Sequence, residues 1–186
     1  QGTLFGRNSI GGAVSLVSKK PSGDLGFKQV VSLGRFNELR TVTRLDLPEV
    51  AGVRVKLDYL HSERDGWVNN TAPDEVDYNA YNKDGGKLSV NWQPREELSV
   101  DYSYDNSTVE MVQDYMQFYK DNLGVFGDEP DRLTETRLPV TPLKPTVVEQ
   151  EGHSAVLTWV AFEQLTIKSI SAVRNIKEDS QSNYAG

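Results

Sequence analysis

Leu98-Ser99-Val100-Asp101-Tyr102-Ser103-Tyr104-Asp105 decides the fold of this chain of 186 residues. Leu98, Val100, Tyr102 and Tyr104 fall on one side, and Ser99, Asp101, Ser103 and Asp105 on the other. That period of two belongs to a strand, whose successive side chains point to opposite faces. One face is apolar and aromatic; the other is uniformly small or anionic. Immediately upstream, Lys87 to Trp92 repeats the pattern, with Leu88, Val90 and Trp92 opposite Lys87, Ser89 and Asn91, and Gln93 to Glu97 around Pro94 forms a short turn between the two. Further upstream, Val53, Val55, Leu57 and Tyr59 oppose Arg54, Lys56 and Asp58. Phe27 to Arg35 and Leu39 to Leu47 read as two more strands joined at Phe36-Asn37-Glu38, and Pro48 to Gly52 as a five-residue turn. Downstream, His153 to Ala161 reads as a strand of mixed phase and Phe162-Glu163-Gln164 as a short turn. Leu165 to Ile176 reads as a last strand, in which Leu165 and Ile167 disagree in phase with Ile170 and Ala172; a β-bulge would reconcile them.

The connections alternate in length. Those at 48–52, 93–97 and 162–164 are short, whereas Asp65 to Tyr81 and Val109 to Glu151 are long; the tight link at 36–38 is the exception. Short turns at one end and long loops at the other is the sidedness of an outer-membrane barrel. The aromatic residues follow it. Phe27, Trp92 and Trp159 fall near the short turns and Tyr59, Tyr102 and Tyr104 toward the loops, as two interfacial girdles require. The reading is an all-β chain of about seven antiparallel strands, part of a larger transmembrane barrel.

Composition narrows the function classes. With 20 basic and 27 acidic residues the net charge is −7, and no basic patch is present, which argues against a nucleic-acid binder. The chain has no cysteine, so neither a disulfide framework nor a thiolate metal site is available. Mean hydropathy is −0.52, and no stretch approaches the ~18–20 apolar residues that a spanning helix needs. A transmembrane strand needs only roughly 9 to 11 residues, of which every second one meets lipid. No enzyme site is expected: His61 and His153 read as strand residues, and no Gly-x-Ser-x-Gly elbow occurs. Asp128-Glu129-Pro130-Asp131 lacks metal-site spacing and reads as solvated loop. No cofactor is expected. In the long loop, Tyr115, Phe118 and Tyr119 offer large aromatic area with polar tips, suited either to a ring-bearing or sugar-like ligand or to packing of the loop on itself.

The first 21 residues, Gln1-Gly2-Thr3-Leu4-Phe5-Gly6-Arg7-Asn8 followed by Gly11-Gly12, the strand-like Ala13 to Ser18 and Lys19-Lys20-Pro21, resemble the end of the plug domain of TonB-dependent outer-membrane receptors. The resemblance implies two units: residues 1–21 as the C-terminal end of the plug and residues 22–186 as the first part of a barrel of roughly 22 strands. It implies a structural plug motif of Gly6, Arg7, Asn8, Gly11 and Gly12, with Arg7 pairing a lumenal carboxylate among Asp46, Asp58 and Asp101. It further implies a location in the cell outer membrane among its lipids, and active uptake of a scarce solute such as a ferric siderophore, vitamin or glycan. The driving partner would be the TonB complex, acting through a segment upstream of Gln1. The alternative is a soluble cell-surface β-sandwich that binds glycans or proteins; it explains strands and acidic loops but not residues 1–21.

Overall fold

The computed structural model describes residues 18–116, 134–136 and 138–182. They form one antiparallel sheet of seven strands in sequential order: β1 (Gly26–Leu33), β2 (Leu39–Asp46), β3 (Val53–Arg64), β4 (Tyr81–Arg95), β5 (Leu98–Met111), β6 (Thr146–Phe162) and β7 (Leu165–Asp179). The sheet is open, with β1 and β7 at its edges. Residues 47–52, 96–97 and 163–164 turn the chain at one end; residues 34–38, 65–80 and 112–145 connect it at the other. The tight link at the loop end has Phe36 and Asn37 at φ 60° and 54°, with the Glu38 N–H donating to the Arg35 carbonyl at 3.3 Å, the pattern of a type I′ turn. At the opposite end Gly52 sits at φ +76°, and a Cβ there would meet the Gln93 carbonyl at 2.7 Å, so this turn accepts no other residue without moving its neighbour.

Register assigns every strand residue to a face. The cross-strand row Leu45–Leu57–Leu88–Tyr104–His153–Val173 and the row Val53–Trp92–Val100–Leu157–Ser169 lie on one face. Asp46–Lys56–Ser89–Ser103–Ser154–Ala172 lie on the other. All six aromatics expected in girdles, Phe27, Trp92, Trp159, Tyr59, Tyr102 and Tyr104, share the apolar face, but the tyrosines do not lie toward the loops as expected: Tyr59 and Tyr104 fall at mid-strand and Tyr102 in the turn-end half, because β3 and β5 run on to Arg64 and Met111. Cations are sorted as strictly. Lys28, Arg40, Arg44, Arg54, Lys56, Arg64, Lys83 and Lys87 take the polar face, and Arg95 at the turn end is the one other lysine or arginine of β1–β6.

Burial runs opposite to chemistry. On the polar face Lys56 is 9% and Asn91 5% exposed, whereas on the apolar face Trp92 is 45% and Trp159 47% exposed. Burying such a side chain is worth about 1.5–3 kcal/mol, so a sheet designed for water would hide these and expose the lysines. Among the described residues the buried apolar cluster lies in the loops instead: Val68, Tyr78, Val112, Val140 and Leu143, with Trp67, Ala80 and Tyr115 packed against it.

Several strands outrun their periodic stretches. β4 begins at Tyr81, six residues before Lys87; β5 continues to Met111; β6 begins at Thr146, which shortens the long loop expected over Val109 to Glu151. In these added rungs the apolar-face positions turn polar, as in Asn82–Glu110 and Asp84–Thr108, while Val109 and Met111 fall on the polar face, so the alternation of the periodic stretch does not continue there. In β7 the two phases coexist without a bulge between them. Register slips instead at Val160/Phe162 in β6, beside the turn, so Leu165 and Ile167 take the apolar face while Ile170, Ala172 and Ile176 take the polar one.

Candidate functional site

The polar face holds a hollow of about 830 Å3 floored by β1–β5. Lys19, Lys28, Arg40, Arg44, Lys56 and Lys87 line it against Asp46, Asp58 and Asp105. Alternation places Arg54, Lys56 and Asp58 on one side of β3, and Lys87 on the same side of β4, as the sequence predicts. Convergence of cations from four strands is what the sequence does not show. Asp58 binds two of them, Arg44 at 3.4 Å and Lys56 at 3.1 Å, the latter well shielded from solvent. The hollow is therefore net positive in a chain whose total is −7.

Residues 18–22 cross this face as a strap. Lys87 donates to the Ser18 hydroxyl at 2.7 Å, Lys20 pairs with Asp101 at 2.6 Å, and the Ser22 N–H donates to Asp46 at 2.9 Å, so five residues reach β4, β5 and β2 in turn. Within the strap Pro21 is buried. Asn91 also donates to Asp101 at 2.7 Å. The three carboxylates expected to receive Arg7 thus each have a partner within the described residues. Gly6, Arg7, Asn8, Gly11 and Gly12 themselves lie outside those residues. At the loop end of the same face, Arg64 and Lys83 sit over the Tyr81 ring at 4.8 and 4.5 Å, and the Tyr81 hydroxyl donates to Glu38 at 3.0 Å.

Above the sheet the loops fold on one another. The Val68–Tyr78 bridge makes a small hairpin of residues 67–79, and Asn69 pairs with Glu135 in parallel to add a third short segment. The buried Asn70 side chain donates to the Val140 carbonyl at 2.8 Å and accepts the Val140 N–H at 3.1 Å. Glu75 accepts the Thr141 hydroxyl at 2.5 Å and the Leu143 N–H at 3.0 Å, which together hold its carboxyl below its ordinary value, the hydroxyl being the larger cause. Tyr78 is pushed up by burial first and by Tyr115 second.

Of the aromatic trio expected to meet a ligand, Tyr115 packs edge-on against Tyr78, ring centroids 5.1 Å apart, inside this loop cluster. Phe118 and Tyr119 lie outside the described residues. The loop cluster has a faint sequence trace: Trp67, Val68, Val140 and Leu143 are apolar residues stranded in otherwise polar segments.

Both histidines stand on the apolar face, His61 near its loop end and His153 at mid-strand. His61 contacts Asp84 at 2.9 Å, to which Tyr59 also donates at 2.6 Å, and His153 lies 2.8 Å from the Tyr102 hydroxyl. Each is held by strand neighbours in cross-strand geometry, with no nucleophile beside it. Among the described residues no helix is long and apolar enough to cross a membrane, and no group of His, Cys, Asp or Glu has the arrangement of a metal site. Comparison with protein-family models, with characterised proteins and with solved structures finds no match for this chain.

Proposed function

We propose that this chain is the plug end and first seven barrel strands of a TonB-dependent outer-membrane receptor, a transporter and not an enzyme. The observation that carries this reading is the inversion of the sheet: its apolar face is exposed, with Trp92 and Trp159 near its turn end, while its polar, ionised face is partly buried. A bilayer supplies apolar surroundings outside and a barrel supplies a wet interior, so the inversion is the arrangement of lowest free energy there. A soluble sandwich would need a second layer over Leu57, Trp92, Leu157 and Trp159.

The strap supports the same reading. Residues 18–22 bring the chain from the plug-like segment onto the polar face, where a plug would sit inside a closed barrel. The net-positive hollow favours an anionic occupant, and residues 1–17 carry Arg7 and no carboxylate, so they do not neutralise it. In this reading the folded loops and plug apex capture a scarce solute such as a ferric siderophore, vitamin or glycan. The TonB complex then draws on a segment upstream of Gln1 to open the path.

Cells carrying the full-length protein are the test. Accumulation of one labelled solute class should require both the protein and the proton gradient. The purified full-length protein should migrate differently in mild detergent before and after heating, because closed barrels resist unfolding there. A full-length protein that is monomeric without detergent and shows one mobility, heated or not, overturns the reading.

A further inference from the structure

The carboxylates that line the hollow on the polar face are all engaged away from its β1 side. Asp58 holds Arg44 and Lys56, and Asp46 accepts the Ser22 N–H. Asp105 is drawn toward β7, because Gly152 stands between them without a side chain and Arg174 crosses it to reach Asp105 at 3.0 Å. A Cβ on Gly152 would meet that guanidinium at 2.9 Å. Lys28, Arg40 and Lys87 are left with no carboxylate partner among the described residues. Lys28 also stands directly opposite Arg44 in the register, a like-charge pair that opposes strand association unless an anion lies between them. The middle of the hollow differs in kind. There the row Val42–Leu60–Gly85–Ser107 sets two aliphatic side chains beside a position that has none. The result is an apolar floor ringed by cations.

Resting on the transporter reading above, we propose that this hollow binds an organic polyanion with a flat apolar or aromatic body, and that the transported solute belongs to that class. The cations select the charge. Arg40 and Arg44 carry planar guanidinium groups, which bind carboxylate, sulfonate or phosphate oxygens in pairs and also stack on aromatic faces. Val42, Leu60 and the bare backbone at Gly85 receive the apolar body, and about 830 Å3 is the size of a small-molecule site. An uncharged solute would leave three cations without a counter-charge. An acidic stretch of plug is the other candidate occupant, but the chain that leads into the strap does not supply one: residues 1–17 hold no carboxylate.

The probe is pyranine, a fluorescent pyrene trisulfonate, titrated into the purified full-length protein and followed by anisotropy. Heat-modifiable mobility of the same sample is read first, so the membrane placement is judged apart from binding. One pyranine should bind per protein, more weakly as salt is raised. Lys28→Gln with Arg40→Gln should weaken binding about tenfold or more. A Cβ at Gly85 meets its neighbours at an ordinary 3.6 Å, so Gly85→Trp projects into the hollow and should abolish binding. Arg95→Gln with Lys177→Gln removes the same charge elsewhere and should leave binding unchanged. Equal loss in the two double variants, or no binding by the wild type, overturns the proposal. Binding that appears only after residues upstream of Gln1 are removed assigns the hollow to that segment and overturns it as well. In cells, the solute whose accumulation requires the protein should displace pyranine. An accumulated solute that is uncharged or cationic leaves the transporter reading standing and overturns this one.

Discussion

At Asn70 one buried amide joins two loops that lie 70 positions apart in the chain, donating to and accepting from the backbone of Val140. Replacing it by Ala leaves a buried N–H and carbonyl of Val140 without partners, at a cost of about 1–3 kcal/mol for each unsatisfied group. Asn70→Ala should therefore speed hydrogen exchange at Val140 and proteolysis of residues 134–145, while the heat-modifiable mobility of the full-length protein stays unchanged. Val140 exchange equal to wild type would show that the amide is not the clasp. Glu75 makes the second tie, and its carboxyl is held below its ordinary value of 4.5 by the Thr141 hydroxyl and the Leu143 N–H. A folded value below the unfolded one means that the tie contributes fully above about pH 4.5 and weakens as pH falls through the lower folded value. Protection of the Leu143 amide should drop in that acid window, and Glu75→Gln should remove the pH dependence. Neither residue was legible as a clasp, because a polar side chain in a polar loop carries no mark of a partner so far along the chain. Tyr115 was legible as an aromatic with a purpose, and the structure gives it one in packing on Tyr78.

Strands were legible where their two faces differ in polarity, and illegible where that contrast ends. Leu98 to Asp105 and Val53 to Tyr59 alternate because one side is apolar, and the structure keeps that phase rung by rung. β5 then runs on through Asn106 to Met111, where Val109 and Met111 fall on the opposite face, and β4 opens on Asn82 to Gly86, which hold no apolar side chain, so these ends could not be placed. β7 was ambiguous for a related reason: its polar-face positions include Ile170, Ala172 and Ile176, which blur the contrast on which phase depends. The phase itself is open to test. Single cysteines at Leu57, Val90 and Val100 of the full-length protein should carry a fluorophore that a lipid-dissolved quencher reaches and should resist an impermeant thiol reagent. Cysteines at Lys56, Ser89 and Ser99 should escape the quencher, and those at Lys56 and Ser89 should label slowly because both sites are buried on the polar face. An Arg at Val90 should cost roughly 2 to 4 kcal/mol of barrel stability if that position lies near mid-membrane. Val90 and Val100 shielded from both reagents would mean that they belong to a packed core.

The whole sheet has two features that no single strand displays. Among the described residues its edges are unpaired: β1 and β7 each present a row of backbone donors and acceptors, and every residue of β7 is exposed. Its apolar face is uncovered: Phe27 is 69%, Val173 64% and Phe162 73% exposed, and they belong to one surface that continues through Trp92 and Trp159. Contiguous apolar area of this kind is rare on monomeric proteins in water, and an open edge beside it templates further strand pairing. The loop cluster does not offset this: its five buried apolar residues lie in the loops, and Phe27, Trp92, Trp159 and Phe162 stay exposed. This 186-residue chain, produced alone in buffer without detergent, should therefore associate into large species, measured by light scattering after size-exclusion chromatography. Detergent above its critical micelle concentration should reduce scattering by covering the face, yet should leave heterogeneity, since a micelle does not pair backbone at β1 and β7. The two liabilities thus separate experimentally, one relieved by detergent and the other by supplying the strands that close the sheet. A monodisperse monomer with one sharp thermal transition in plain buffer would mean that the apolar face is already covered, and the soluble sandwich would then be the better account of this chain.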